Sequence, residues 1–320
     1  MSELLLEARN VEKFFGYGFL GRTKFPAVDN VSLALENRPK ILTIAGESGC
    51  GKTTLARILL GFIKPDRGAI LYKGKNIHKL GRKEKKIFRK EVQAIFQDPY
   101  ETFNPLRKVD AYMVGTAKNM LGVNSKEAIA RMEKVLGTVG LSIAEIAGKK
   151  PNEFSGGQLQ RISIARALVA EPNLIVADEP VSMIDVSLRM NILNMFRSLR
   201  EEGVSFIYIT HDLATAYYIS DEINIMYRGM IVERGPASEV LLKQYHPYTK
   251  ALVKSLPEPG KRDKWLKEEV NPPGAEIKEF LAPGCKYADI CPESAEKCRK
   301  ERPPLIKVGN VEVACWIYEK

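Results

Sequence analysis

The sequence predicts an α/β fold built on a phosphate-binding loop, with a small cysteine-rich extension at its C-terminal end. Three observations point there. The stretch "GESGCGKTT", residues 46–54, lies between a short apolar run and a segment of helical period. A second apolar run, "LIVADEP", ends in an acid pair, and four of the five cysteines fall after residue 284.

In chain order, "KILTIAG" comes first. Its Ile41, Leu42, Ile44 and Ala45 suit a strand buried on both faces. The loop that follows, Gly46, Glu47, Ser48, Gly49, Cys50, Gly51, Lys52, Thr53 and Thr54, fits the pattern G-x-x-x-x-G-K-[ST] through Gly46, Gly51, Lys52 and Thr53. Beyond it, Leu55, Ile58, Leu59 and Phe62 recur at the period of a helix, and all four are expected on its buried face. Strand, glycine loop, helix is the order a phosphate cradle needs. Glycines let backbone N–H groups turn inward, Lys52 reaches the β and γ phosphates, and the Thr53 hydroxyl can ligate Mg²⁺. Cys50 sits where any residue is allowed and reads as filler.

The densest basic cluster, "KLGRKEKKIFRK" at 79–90, belongs to a chain of net charge +10. It reads as a solvated helix face, and without aromatic-interleaved basic motifs nucleic acid is not an expected partner. Next comes "FSGGQLQRISIARAL". Ser155, Gly156, Gly157 and Gln158 open a helix whose Leu159, Ile162, Ile164, Ala165 and Leu168 form an apolar face. Its free N–H groups and serine make a second anion-binding helix end. One nucleotide needs one cradle, so the second is expected to cap a nucleotide held by another subunit.

In "LIVADEP", Leu174 to Ala177 predict a buried strand with Asp178 at its C-terminal edge, where ligands of open α/β sheets bind. Asp178 is expected to hold Mg²⁺ through water. Glu179, one residue further, is the candidate general base that orients and polarises the attacking water.

Together these motifs resemble the ATP-binding subunits of ABC transporters over roughly residues 1–255. "GESGCGKTT" is similar to their Walker A, "SGGQ" after Phe154 to their signature, and "LIVADEP" to their Walker B. The resemblance implies more. Gln97 in "IFQDPY" resembles the Q-loop glutamine, a catalytic and Mg²⁺-contacting residue, Asp185 in "SMID" the D-loop aspartate, and His211 in "YITHD" the switch histidine. Phe15 in "VEKFFG" resembles the aromatic on which adenine stacks, next to an insertion at 16–26. The implied fold is a P-loop ATPase core of ABC type with a helical signature subdomain at about 97–170. The implied mechanism is a head-to-tail pair of subunits clamping two ATP molecules, whose closure moves the helical subdomain against transmembrane partners.

After the core, Pro247, Pro257, Pro259 and Gly260 signal a change from domain to linker, and 256–320 is expected as a separate extension. It carries Cys285, Cys291, Cys298 and Cys315 in the pattern C-x₅-C-x₆-C-x₁₆-C. Disulfides are not expected in a cytoplasmic ATPase, and four clustered cysteines favour a metal site. Spacing alone does not name the metal, because it fits neither the usual zinc nor the ferredoxin template. Few large apolar residues beyond Trp265, Phe280 and Trp316 leave this extension little core of its own, so the metal is expected to staple it to itself.

Resemblance extends to this tail. "GCKYADICPESAEKCRKERPPL" and the preceding "HPYTKALVKSLP" are similar to the oligopeptide and dipeptide branch of ABC importers, in which four cysteines hold a [4Fe-4S] cluster. "DEPVSMIDVS" is closer to the F-type than the D-type subunit of that branch, which implies a heterodimer with a related ATP-binding chain. The implied partners are two transmembrane permease subunits and, through them, a solute-binding protein delivering peptides, oligosaccharides or nickel.

Other classes fit less well. No apolar run approaches the roughly 20 residues needed to cross a bilayer, and "MSELLLEARN" lacks the basic start of a signal peptide. A peripheral place at the cytoplasmic face of the membrane is therefore expected. About 100 residues separate Thr53 from Ser155, too few for the heptad arms of a chromosome-associated ABC ATPase, and one cassette is present where a ribosome-associated relative carries two. A redox enzyme would bring a flavin or second-cluster motif, and none accompanies the cysteines; a structural cluster is the reading, with redox sensing open.

Overall fold

The computed structural model describes residues 3–17, 23–255 and 277–319. Strands β1 (Leu4–Tyr17) and β2 (Thr23–Glu36) pair antiparallel as a long hairpin. The buried run after it is β3 (Ile41–Ala45), the phosphate loop follows, and α1 (Lys52–Leu59) starts directly from Gly51. Next, β4 (Arg67–Tyr72) and β5 (Lys75–Asn76) complete a four-stranded sheet of order β2-β1-β4-β5. The basic stretch forms α2 (Arg82–Glu91), exposed except at Phe88 and a few partly covered positions, as a solvated face should be.

After β6 (Val92–Ile95) the chain builds a helical layer from α3 (Val109–Leu121), α4 (Ser125–Thr138), the single turn α5 (Ile143–Ile146) and α6 (Gly156–Val169). It returns to the sheet through β7 (Leu174–Asp178), α7 (Val186–Glu201), β8 (Ser205–Thr210), α8 (Leu213–Ile219), β9 (Glu222–Tyr227) and β10 (Met230–Pro236). Helices α9 (Ala237–Lys243) and α10 (Pro247–Lys254) close this part. The described tail holds α11 (Ile277–Phe280), α12 (Glu296–Lys300), β11 (Ile306–Val308) and β12 (Val311–Val313).

The larger sheet runs β11-β12-β10-β9-β3-β8-β7-β6, with β9, β3, β8, β7 and β6 parallel. Parallel strands must be covered on both faces, which explains why β3, β7 and β8 are buried at every position. One face packs on α1 and the smaller sheet through Leu42, Ile44, Leu55, Ile58 and Leu59. The other packs on the helical layer through Phe206, Tyr208, Ile162 and Leu136.

Three expectations need correction. Helix α1 ends at Leu59, and Phe62 lies beyond it with 62% of its surface exposed. Gly61, at φ +73°, turns the chain there, so the helical period no longer applies to Phe62, which leans on Phe96 at 5.9 Å between ring centroids. Pro247 does not mark a linker. It is the first residue of α10, where its missing N–H costs nothing and the His246 side chain caps the helix by accepting from Tyr248 N. Third, the tail does not stand alone: β12 extends the main sheet at β10, and Tyr287 and Val311 join the apolar cluster of Tyr227, Tyr248 and Val240. Phe280 is buried, packed edge-on against Phe25 at 5.5 Å, and Arg302 donates to Asp29 at 2.8 Å. The tail thus borrows the core of the body. Trp265 lies outside the described residues.

Candidate functional site

The phosphate loop is held from behind by backbone. A Cβ at Gly46 would lie 2.2 Å from the Met226 carbonyl oxygen, and one at Gly51 2.1 Å from that of Ala27, so only glycine fits at either position. Gly229 N–H, in the turn between β9 and β10, donates to the Cys50 carbonyl at 2.8 Å. Lys52 is buried and donates to the carbonyls of Gly46 (2.6 Å) and Glu47 (2.8 Å), which poises its ammonium over the loop. Cys50 is fully buried within the loop, and burial pushes its thiol pKa up. It packs as an inert side chain.

Strands β3, β8, β7 and β6 are consecutive neighbours and parallel, so their C-terminal ends open on one edge. The loop leaves β3, His211 follows β8, Asp178 and Glu179 end β7, and Gln97 follows β6. Asp178 is buried, and burial pushes its carboxyl pKa up, while the Thr53 hydroxyl bonded to it pulls the other way. Its Oδ1 has no hydrogen-bond partner among the described residues. A buried carboxylate oxygen left open beside the loop hydroxyl fits a hydrated Mg²⁺ held by Thr53 and Asp178.

Glu179 stands at the centre. It takes a left-handed backbone (φ +45°), unusual for a residue other than glycine, and its N–H is tied to the Ile209 carbonyl at 2.9 Å. One carboxylate oxygen lies 2.8 Å from His211 Nδ1, and the other accepts from Gln97 Nε2 at 3.1 Å. Three residues that the sequence placed on separate motifs thus meet on one carboxylate.

The remaining predicted residues lie apart from this cluster. Ser155 caps α6: its hydroxyl accepts from Gln158 N at 3.3 Å and Gln158 Oε1 accepts from Ser155 N at 3.1 Å. Gly156 and Gly157 form the first turn, beside Met183. Asp185 precedes α7 with an exposed side chain. Among the described residues no hydrogen bond joins Ser155–Gln158 to the phosphate loop. Phe15, 37% exposed, sits on the β1–β2 hairpin opposite Phe25 at 6.4 Å; part of the neighbouring insertion, 18–22, lies outside the described residues.

Cys285, Cys291, Cys298 and Cys315 line one small cavity, closed by His246, Pro247 and Trp316. All four are free thiols. Burial pushes Cys285 up to about 11, with the other three cysteines adding to the shift. Among the described residues no group of three or more His, Cys, Asp or Glu has the arrangement to hold a single metal ion.

Sequence reading missed the two residues that brace the loop, Gly229 and Tyr248, and Arg228, which ties the turn beside Gly229 to the tail. Arg228 is buried, ion-paired with Glu279 and stacked at 5.6 Å on Phe280. The only local signal was the "RG" turn between β9 and β10.

Fold and site together define a P-loop nucleoside triphosphatase. A family model described as ABC transporter matches residues 28–182, and one described as oligopeptide/dipeptide transporter, C-terminal region, matches 232–298. The chain is 38% identical over 317 residues to the dipeptide transport ATP-binding protein DppF of Haemophilus influenzae, covering 94% of this chain and 92% of that protein. It is 37% identical to the oligopeptide transport ATP-binding protein AppF of Bacillus subtilis, covering 99% and 98%. A solved dimer of the ATP-binding cassette MJ0796 in a post-hydrolysis state with ADP and Pi superposes with a TM-score of 0.65 at 26% identity, over 72% of this chain and 98% of that one. The chain belongs to the ABC transporter family, in the branch of oligopeptide and dipeptide transport ATP-binding proteins.

Proposed function

We infer that this chain is the ATP-binding and hydrolysing subunit that powers an ABC importer of oligopeptides or dipeptides. The observation that carries the reading is Glu179, bonded to both Gln97 and His211 at the strand edge that bears the phosphate loop. In this reading the loop amides and Lys52 bind the ATP phosphates, and Phe15 stacks on adenine. Thr53, Asp178 and Gln97 hold Mg²⁺, which when bound offsets charge on the β and γ phosphate oxygens. Glu179 takes the proton of the attacking water, and His211, on its Oε1 side, orients the carboxylate. Gln97 senses the same carboxylate from the edge of the helical layer. Phe62 and Phe96 line a groove there, a surface suited to a permease segment.

Ser155, Gly156, Gly157 and Gln158, with Asp185, act across the interface on ATP bound to a related partner chain. Their separation from this chain's own loop supports a head-to-tail dimer; in this proposal the other half is a related chain, and two permease subunits and a solute-binding protein complete the importer. No helix among the described residues is long and apolar enough to cross a membrane; in this proposal the chain works as a peripheral subunit at the cytoplasmic face, docked on the permease. Reconstituted with partner and permease in vesicles, the chain should drive peptide uptake only with ATP. Gly157→Asp, which sets a carboxylate beside the Met183 carbonyl (3.3 Å from a Cβ) and against the partner's nucleotide, should abolish uptake and ATP-driven dimerisation while each monomer still binds ATP. Unchanged dimerisation would reject the trans cap.

The four tail cysteines hold one [4Fe-4S] cluster in this proposal, which when bound supplies four covalent anchors to a segment of few elements. Their common cavity is what supports it. Purified without oxygen, the protein should be brown, with about four irons and four sulfides per chain. Serine at any of the four should bleach it and expose the tail to protease, while Cys50→Ala should keep the colour. A colourless protein with one zinc, from iron-replete cells, would replace the cluster by a simpler staple.

A further inference from the structure

The phosphate loop has a contact that the ATPase motifs do not include. Glu47 N–H, in the second position of the loop, donates to the Tyr248 hydroxyl at 3.0 Å, across 201 residues of sequence. Tyr248 is 1% exposed, and burial pushes its pKa up, so its hydroxyl stays a neutral phenol able to accept this bond. Its position is fixed from three sides. The ring packs on Tyr227 at 4.4 Å and on Tyr287 at 5.6 Å, and its N–H is held by His246 Nδ1 at 3.0 Å.

Tyr287 comes from the tail, between Cys285 and Cys291 in sequence. It meets Tyr227 edge-on at 5.4 Å and lies 6.0 Å from the His246 ring, which itself lines the cysteine cavity. Cys285 and Cys291 pack against the same apolar cluster as the three tyrosines. One contiguous set of rings therefore runs from the wall of the cysteine cavity to the backbone of the phosphate loop.

We propose that Tyr248 is a positioning residue for the phosphate loop, and that Tyr287 makes the loop's position depend on a folded tail. The proposal rests on the reading of Gly46–Thr54 as the ATP cradle. Its physical content is simple. A partly buried backbone N–H that loses its one acceptor among the described residues must either turn to another partner or drag the loop with it, and either change weakens binding of the phosphates. Rings packed edge to face hold that acceptor still, because each has few rotamers and many contacts. A tail that loses its fold withdraws Tyr287 and loosens Tyr248.

The test compares Tyr248→Phe, Tyr287→Ala and Tyr287→Phe in the full chain, assembled with its partner and permease. Tyr248→Phe keeps every ring contact and removes only the hydroxyl. Its KM for ATP should rise about 5- to 10-fold with kcat reduced less than about twofold, the pattern of lost uniform binding. Hydrogen exchange at the Glu47 amide of the nucleotide-free chain should speed up. Tyr287→Ala should raise KM in the same direction without touching the loop, and Tyr287→Phe should restore it. If Tyr248→Phe leaves both KM and Glu47 exchange at wild-type values, the positioning role is wrong. If Tyr287→Ala lowers the melting temperature but leaves KM unmoved, the tail is a structural neighbour and the link to it fails. Wild-type protein that does not bind ATP-Mg²⁺ would instead overturn the reading of the cradle itself.

Discussion

Glu179→Gln should lower ATP turnover by a factor on the order of 10² or more while leaving ATP bound. The substitution keeps side-chain length and volume, and an amide oxygen can still accept from Gln97 Nε2. It removes the basic oxygen that lies 2.8 Å from His211 Nδ1 and would receive the water proton. The backbone remains anchored through Glu179 N–H to the Ile209 carbonyl, so the local fold should persist. Proton acceptance is a transition-state interaction, so kcat should fall without a matching rise in the Kd for ATP. The ATP-bound closed dimer should then accumulate. Steady-state hydrolysis by the assembled transporter measures the first effect and size-exclusion chromatography with ATP-Mg²⁺ the second; turnover near the wild-type rate would remove Glu179 from the role of base.

Gly51→Ala should abolish tight ATP binding, raising the Kd on the order of 10²-fold or more. Gly51 has φ +109°, a region closed to residues with a Cβ, and the added carbon would sit 2.1 Å from the Ala27 carbonyl oxygen. Both partners in that collision are backbone, on β2 and at the start of α1, and neither can yield without shifting the N–H groups that face the phosphates. Gly49→Ala makes the contrast. It has φ +79° but nothing within 4 Å of a Cβ, so it meets strain without collision and should bind ATP more tightly than Gly51→Ala. Calorimetric titration of ATP-Mg²⁺ into each variant decides the order; equal affinities would show that steric approach to Ala27 does not shape the loop.

Much of this site is written locally. The apolar run Ile41–Ala45, the glycines and Lys52, the Ser155 cap with Gln158 three residues on, and the run Leu174–Ala177 before Asp178 each lie within a window of a few residues. Backbone conformation there depends on neighbours in sequence: caps close within one helical turn, and a buried strand announces itself as an unbroken apolar run. The family resemblance came from the order of these windows. Where a local rule met a turn it failed. Phe62 satisfied the helical period, but Gly61 had already ended the regular backbone on which the period rests.

What the sequence determined by itself was therefore the class of chemistry: a phosphate loop, an acid pair, a second helix cap and a cysteine-rich tail. Only the tertiary structure decided which of these share a site. Gln97 and Glu179 are 82 residues apart, and they meet because β6 and β7 are parallel neighbours whose ends open on the same edge. His211 reaches Glu179 because β8 lies next to β7. Tyr248 reaches Glu47 across 201 residues because the tail and α10 pack behind the loop, and no repeat or spacing encodes such a meeting. The physical reason is the same throughout. Periodicity and capping act over one or two turns of chain, whereas strand order and the burial of rings are set by the lowest free energy of the whole core, to which every apolar face contributes at once.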